Sequence, residues 1–186
     1  MNDQLIPEEI ISSKSVFDGS LFSVSVDELK LSNGCHVSRE VIKHRPSVVI
    51  VPIDSDDNVV MVRQYRHPIG KDLLEAPAGN IEDLELPLES AQRELQEETG
   101  YFSGDLCFIG DFWSSPGFST ELMHAYVARD LVSKPLEPDV DEFIKIEFIP
   151  ISQIIDYIRT GRIQDAKTIS AILMFMFVRL YIGDDY

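Results

Sequence analysis

The segment Gly79–Tyr101 constrains the fold more than any other stretch of the chain. It reads GNIEDLELPLESAQRELQEETGY and carries seven carboxylates (Glu82, Asp83, Glu85, Glu89, Glu94, Glu97, Glu98) against one basic residue, Arg93. Pro87 stands where a helix can begin and Gly100 just past where it would end, the usual asymmetry of helix termini. A helix is therefore predicted over 87–99. At about 100° per residue, Glu94, Glu97 and Glu98 share an arc roughly 100° wide. Leu88, Ala91 and Leu95 form a narrow apolar stripe beside it. Like charges three or four residues apart cost a few tenths of a kcal/mol per pair, and one Arg is too little for three acids. A hard divalent cation is one possible counter-charge, because such ions take carboxylate oxygens and keep waters and phosphates in their shell. On charge alone, a solvated acidic face is the simpler account.

The rest of the chain supplies mostly strands. Three β-rich stretches, Ile10–Val16, Leu21–Leu31 and Cys35–His44, precede the break at Arg45-Pro46. In the second, Ser23, Ser25 and Asp27 alternate with Phe22, Val24 and Val26, the pattern of a half-buried strand, and Ser32-Asn33-Gly34 is a good hairpin turn. Further strands are predicted at Ser47–Ile53, Val59–Tyr65, Leu73–Ala78, Asp105–Phe112, Leu122–Ala128 and Phe143–Pro150, with helices at Ser152–Thr160 and Ala166–Ile182. Antiparallel hairpins followed by helices imply an α+β or αβα-sandwich fold with a mixed sheet, not a doubly wound one.

Composition excludes several functions. The 186 residues are 44% hydrophobic, enough for a core, and the net charge is −16. A surface that acidic repels phosphate backbones, so nucleic acid is not an expected partner. Cys35 and Cys107 form no CxxC or Cys/His cluster, which points to reduced thiols in the cytoplasm and away from zinc or a disulfide framework. Met1-Asn2-Asp3-Gln4 lacks the basic and apolar regions of a secretory leader. The longest apolar run, Ile169–Val178, is interrupted by Ser170. At that length it reads as a buried helix, so no membrane association is expected.

Spacing then changes the reading of the acidic helix. Gly79, Glu85, Arg93-Glu94-Leu95, Glu97-Glu98 and Gly100-Tyr101 occupy every defined position of a 23-residue pattern, the Nudix box. The chain thus resembles the Nudix hydrolases. The resemblance implies an αβα sandwich whose strand–loop–helix box binds Mg²⁺, with Mn²⁺ as a substitute, and hydrolysis of a nucleoside diphosphate linked to another moiety. The flanks Val62-Arg63-Gln64-Tyr65-Arg66, Leu74-Glu75-Ala76-Pro77-Ala78-Gly79, Ser114–Ser119 and Asp165-Ala166-Lys167-Thr168 look like the ADP-ribose pyrophosphatase branch. Pro116, 16 residues past Gly100, matches that branch as well.

The same resemblance assigns roles. Glu94 and Glu98 are implied metal ligands with the Ala78 carbonyl, and Glu97 is a further ligand or orients one through water. Gly79, Glu85, Arg93 and Gly100 are structural positions of the box. Glu142, in the acidic stretch Glu137–Glu142, fits another ligand position. Relatives commonly read Asp-Glu-Asp-Glu there, whereas this chain reads Asp139-Val140-Asp141-Glu142. Valine cannot accept a proton, so Glu137, Asp139 or Asp141 would replace a general base at that position, unless none is needed. Glu97, Glu98, Asp141 and Glu142 are thus the implied catalytic set. Arg66, Ser115, Pro116, Glu121, Phe22 and Arg39 match substrate-binding positions, with Phe22 suited to stack on a purine.

The expected organisation is an N-terminal β-rich dimerisation segment, 1–45, followed by a hydrolase domain, 46–186. So small a segment buries little surface alone, and in relatives it crosses to a homodimer partner. The expected reaction is Mg²⁺-dependent cleavage of ADP-ribose, or a related nucleoside diphosphate sugar, to AMP and ribose 5-phosphate. GDP-mannose or another sugar nucleotide as substrate, or a non-catalytic nucleotide sensor, are the alternatives.

Overall fold

The computed structural model describes residues 8–137 and 143–182. The chain divides into two compact units, Met1–Pro46 with Trp113–Leu122, and Ser47–Phe112 with Met123–Tyr186.

The first unit is an antiparallel meander of β1 (Glu9–Asp18), β2 (Phe22–Lys30) and β3 (His36–His44). The segment 118–120 runs beside β3: Ile42 donates its N–H to the Phe118 carbonyl (2.7 Å), and Thr120 donates to the Ile42 carbonyl (3.0 Å). The alternation along β2 does produce one buried face, but it is the polar one. Ser25 and Asp27 are buried, whereas Val24 and Val26 are half-buried and Phe22 is exposed. Asp27 tolerates this position because the Ser13 hydroxyl donates to it at 2.5 Å, and a buried carboxylate needs such donors.

The second unit holds two sheets. One is antiparallel, in the order β10 (Ile144–Pro150), β5 (Asn58–Arg66), β6 (Lys71–Glu75). The other is mixed, in the order β7 (Ala78–Asn80), β4 (Ser47–Pro52), β9 (Leu122–Ser133), β8 (Tyr101–Trp113). In it, β4 runs parallel to β9 and antiparallel to β7. Every residue of β4 is buried, which explains its unbroken apolar sequence. Val49 and Val51 enter one core with Met61, Leu74, Ile154, Ile172 and Phe175. Val48 and Ile50 enter a second core with Ala91 and Leu95 of α1 (Pro87–Thr99). The sheet is thus covered on both faces, by α1 on one side and by α2 (Ile151–Arg159) and α3 (Ala166–Ile182) on the other. The α+β class expected from the sequence is the class observed. Among the described residues, no helix is long and apolar enough to cross a membrane.

One predicted element divides. The stretch Leu73–Ala78 is not one strand but two, because the chain leaves β6 at Ala76-Pro77 and re-enters structure as β7 in the other sheet. Pro77 has no N–H to give a ladder, and its carbonyl accepts from Ile50 N–H at 2.9 Å. A 3-10 turn at His67–Ile69, closed by Gly70 at φ 66°, joins β5 to β6.

Candidate active site

Helix α1 starts and stops where its ends are satisfied. Pro87 occupies the first turn, and Glu89 accepts the N–H of Leu86 at 3.1 Å. Gly100 lies at φ 74° and gives its N–H to the Gln96 carbonyl. That left-handed conformation favours glycine.

Arg93 organises the acids of the box. Its Nε and Nη2 clasp Glu85 at 2.8 and 2.9 Å. Its Nη1 reaches Glu94 at 2.7 Å and Glu97 at 2.9 Å, and Nη2 also donates to the Asn80 carbonyl at 3.0 Å. The forked guanidinium suits this task because it presents several donors in fixed geometry. The Arg93 hydrogen bonds hold Glu85 far below the usual carboxylate range, at about 2, and Glu85 in turn raises the pKa of Arg93.

Glu94 and Glu98 sit one turn apart with 8% and 5% of their surface exposed. Burial this deep needs fixed polar partners. Glu98 accepts the Ala78 N–H at 3.0 Å. The Glu94 carboxylate lies against Gly79 so closely that a side-chain carbon on residue 79 would overlap it. Here the glycine is required by close approach. β7 is the edge strand of its sheet, and Ala78 stands opposite Val49 in the ladder. Because the N–H and carbonyl of one strand residue point to the same edge, the Ala78 carbonyl faces the same side as its N–H, the side of Glu98.

These donors fit a hard divalent cation: two buried carboxylates, one main-chain carbonyl and a cradle that only glycine leaves open. Among the described residues, no three His, Cys, Asp or Glu side chains are arranged to hold an ion by themselves. Glu142 and Asp141, the remaining acids expected at the site, lie outside the described residues.

A second network backs the strand. Glu75 is 1% exposed. It receives Arg66 Nε and Nη2, each at 2.8 Å, and Lys167 Nζ. Burial alone would raise the pKa of Glu75, but Arg66 and Lys167 outweigh it and hold the carboxyl below its ordinary value. Arg66, expected at a substrate-binding position, thus has two of its nitrogens on Glu75; the charge of Glu98 also acts on it. Arg63 pairs instead with Glu147 at 2.7 Å. Sequence reasoning gave Glu75 no role. The available signal was a single acid among Leu73, Leu74, Ala76 and Pro77, where an unpaired charge would be costly.

The other expected substrate residues belong to the first unit. Ser115 accepts the Phe118 and Ser119 N–H groups through its carbonyl. Pro116 and Arg39 line a hollow of about 400 Å³ that also contains Asp27 and Phe118. Arg39 lies 3.8 Å from Glu8, and Glu121 lies 3.8 Å from His44. Phe22 packs on Phe17 with ring centroids 5.7 Å apart.

The covered mixed sheet and a helix aiming clustered carboxylates at a strand edge define a Nudix-type hydrolase. Residues 43–172 match the family model described as the NUDIX domain, and the chain belongs to that family. It is 37% identical over 171 residues to a methanol dehydrogenase activator from Bacillus methanolicus, covering 91% of this chain and 92% of the relative. It is 33% identical over 169 residues to an ADP-ribose pyrophosphatase from Bacillus subtilis (strain 168), covering 90% and 91%. Its fold matches a crystal structure of an ADP compounds hydrolase with a TM-score of 0.89 at 28% identity, over 97% of this chain and 98% of that one.

Proposed function

We propose that this Nudix pyrophosphatase hydrolyses ADP-ribose, or a closely related ADP-sugar, to AMP and the sugar phosphate. The observation that carries the reading is the convergence of the buried Glu94 and Glu98 carboxylates on the Ala78–Gly79 strand. The substrate class is supported by the named activities of the Bacillus subtilis relative and of the structural neighbour.

Glu94, Glu98 and the Ala78 carbonyl would hold a divalent cation, which we take to be Mg²⁺ with Mn²⁺ as a substitute. When bound, it supplies charge neutralisation for a diphosphate and polarises a phosphoryl oxygen. Glu97, steered by Arg93, orients the water side of the site. Arg66, held by Glu75, keeps an edge of its guanidinium for a phosphate oxygen. Water adds to one phosphorus, the bridging P–O bond breaks, and the two phosphates leave as AMP and ribose 5-phosphate. Asp141 or Glu142 completes the catalytic set in this reading.

Phe22, Arg39, Ser115, Pro116 and Glu121 are assigned to substrate recognition. The β1–β3 segment exposes Ile10, Ile11, Val16, Phe17 and Leu21. Apolar surface of that kind supports a homodimer built through the N-terminal segment. Two free cysteines support a cytoplasmic setting.

The test is a panel of ADP-ribose, other ADP-sugars and GDP-mannose, with and without Mg²⁺, read by product identity. Cation-dependent AMP from ADP-ribose is expected, and Glu98→Gln should lower turnover by at least about a hundredfold with the fold retained. Preferred cleavage of GDP-mannose would contradict the substrate, and tight ADP-ribose binding without AMP would identify a sensor.

A further inference from the structure

The donor set proposed above includes a main-chain oxygen, and a main-chain oxygen is only as well placed as the backbone that carries it. The strand segment that delivers Ala78 is tied down at successive residues. The Ala76 N–H donates to the Thr168 hydroxyl at 2.9 Å. The Pro77 carbonyl accepts from Ile50 at 2.9 Å. The Ala78 N–H donates to Glu98 at 3.0 Å. The second and third anchors come from the sheet and from α1, while the first comes from α3.

Thr168 is 0% exposed and Ala76 1%. Its hydroxyl accepts from Ala76 and donates to Asp165 Oδ2 at 2.6 Å. The same Asp165 oxygen caps α3 by accepting the Thr168 N–H at 2.9 Å. Lys167, the residue before Thr168, pairs with Asp165 at 3.0 Å and with Glu75, the residue before Ala76. The first turn of α3 thus grips both residues just ahead of Pro77. Ala78 follows Ala76 by two residues, about 6.6 Å of extended chain, with a proline between them that restricts rotation.

We propose that Thr168 is a positioning residue for the cation site: through the Ala76 N–H it sets where the Ala78 carbonyl lies relative to Glu98. This rests on the reading of Glu94, Glu98 and Ala78 as the cation-binding set. Thr168 touches neither cation nor substrate. Its loss leaves the buried Ala76 N–H without its acceptor, and the strand relaxes toward water or another carbonyl.

The experiment is calorimetric titration of Mn²⁺ into the wild-type protein, Thr168→Val and Thr168→Ser, without substrate. ADP-ribose turnover and amide exchange at Ala76 are measured in parallel. Valine keeps the shape but removes both hydrogen bonds, and serine keeps both. Thr168→Val should raise the Mn²⁺ dissociation constant about tenfold, the scale of an outer-shell loss, and lose protection at Ala76. Its KM for ADP-ribose at saturating Mn²⁺ should stay within about twofold. Thr168→Ser should restore wild-type Mn²⁺ affinity. Wild-type Mn²⁺ affinity in Thr168→Val, or loss of affinity in Thr168→Ser as large as in the valine variant, overturns the proposal and leaves the cation-site reading standing. Absence of Mn²⁺ binding by the wild type overturns both. Should Thr168→Val fail to fold, Thr168→Ala is titrated instead, because it also removes the hydroxyl while leaving the Asp165 cap on the residue-168 N–H and the Lys167 pair in place, and the same outcomes decide.

Discussion

Arg93 shows how one side chain resolves a crowded charge problem. Three carboxylates share its guanidinium, and Glu85 takes the two-pronged contact. Because Glu85 titrates near 2 in the folded protein, against an ordinary value of 4.5, its ionised form favours folding. That contribution is fully present above pH 4.5 and is lost as the pH falls toward 2. Glu85→Gln should therefore destabilise the protein by roughly 2 kcal/mol at pH 7, the size of a charge-assisted hydrogen bond. The gap to wild type should close between pH 4.5 and about 2. Urea denaturation at pH 7, 5, 4 and 3 checks this, and a gap that ignores pH would count against the Arg93–Glu85 pair as its source. Helical spacing put Glu94, Glu97 and Glu98 on one arc, but their reading as a site, with Glu85 and Arg93, came from the match to the 23-residue box. Glu75, Asp165 and Thr168 were not legible as partners, since Ala76 and Thr168 lie 92 positions apart and no periodicity links such residues.

At the scale of elements, the helix bounds read from Pro87 and Gly100 agree with the structure, and so do those of Ala166–Ile182. The first carries Pro87 at its start and Gly100 just past its end, and the second starts on the Asp165 cap. The division of Leu73–Ala78 into β6 and β7 was hidden, because Pro77 marks a break but not its destination, and the switch of sheets depends on β4 taking the Pro77 carbonyl. The extra lengths of β8 and β9 were hidden for a related reason: their outer halves carry mixed polarity that only pairing makes regular. That hidden division is what sets Ala78 and Gly79 at an edge facing α1. Gly79→Ala should thus force the Glu94 carboxylate away from the strand, since the added methyl would occupy its place. The expected result is a folded protein with Mn²⁺ affinity lowered at least about tenfold and turnover lowered with it. Unchanged Mn²⁺ affinity by calorimetry would show that Glu94 does not need the cradle.

At the scale of the whole molecule, the sequence gives the first unit strands but little to bury. Its alternation was legible, yet the choice of buried face was not, because Ser25 and Asp27 lie inward and ordinary hydrophobic reasoning places Val24 and Val26 there. The exposed Ile11 and Phe17, about half accessible, belong to the surface that the proposed homodimer would cover. The double substitution Ile11→Asp, Phe17→Asp should yield a monomer in analytical ultracentrifugation while leaving the second unit folded. A dimer of unaltered stability would move the interface elsewhere.

The central claim is that Glu94, Glu98 and the Ala78 carbonyl together hold the ion on which diphosphate cleavage depends. Anomalous diffraction from crystals grown in Mn²⁺ tests it most directly. The account predicts a peak coordinated by all three groups. A map in saturating Mn²⁺ with both glutamates and the carbonyl uncoordinated would contradict it.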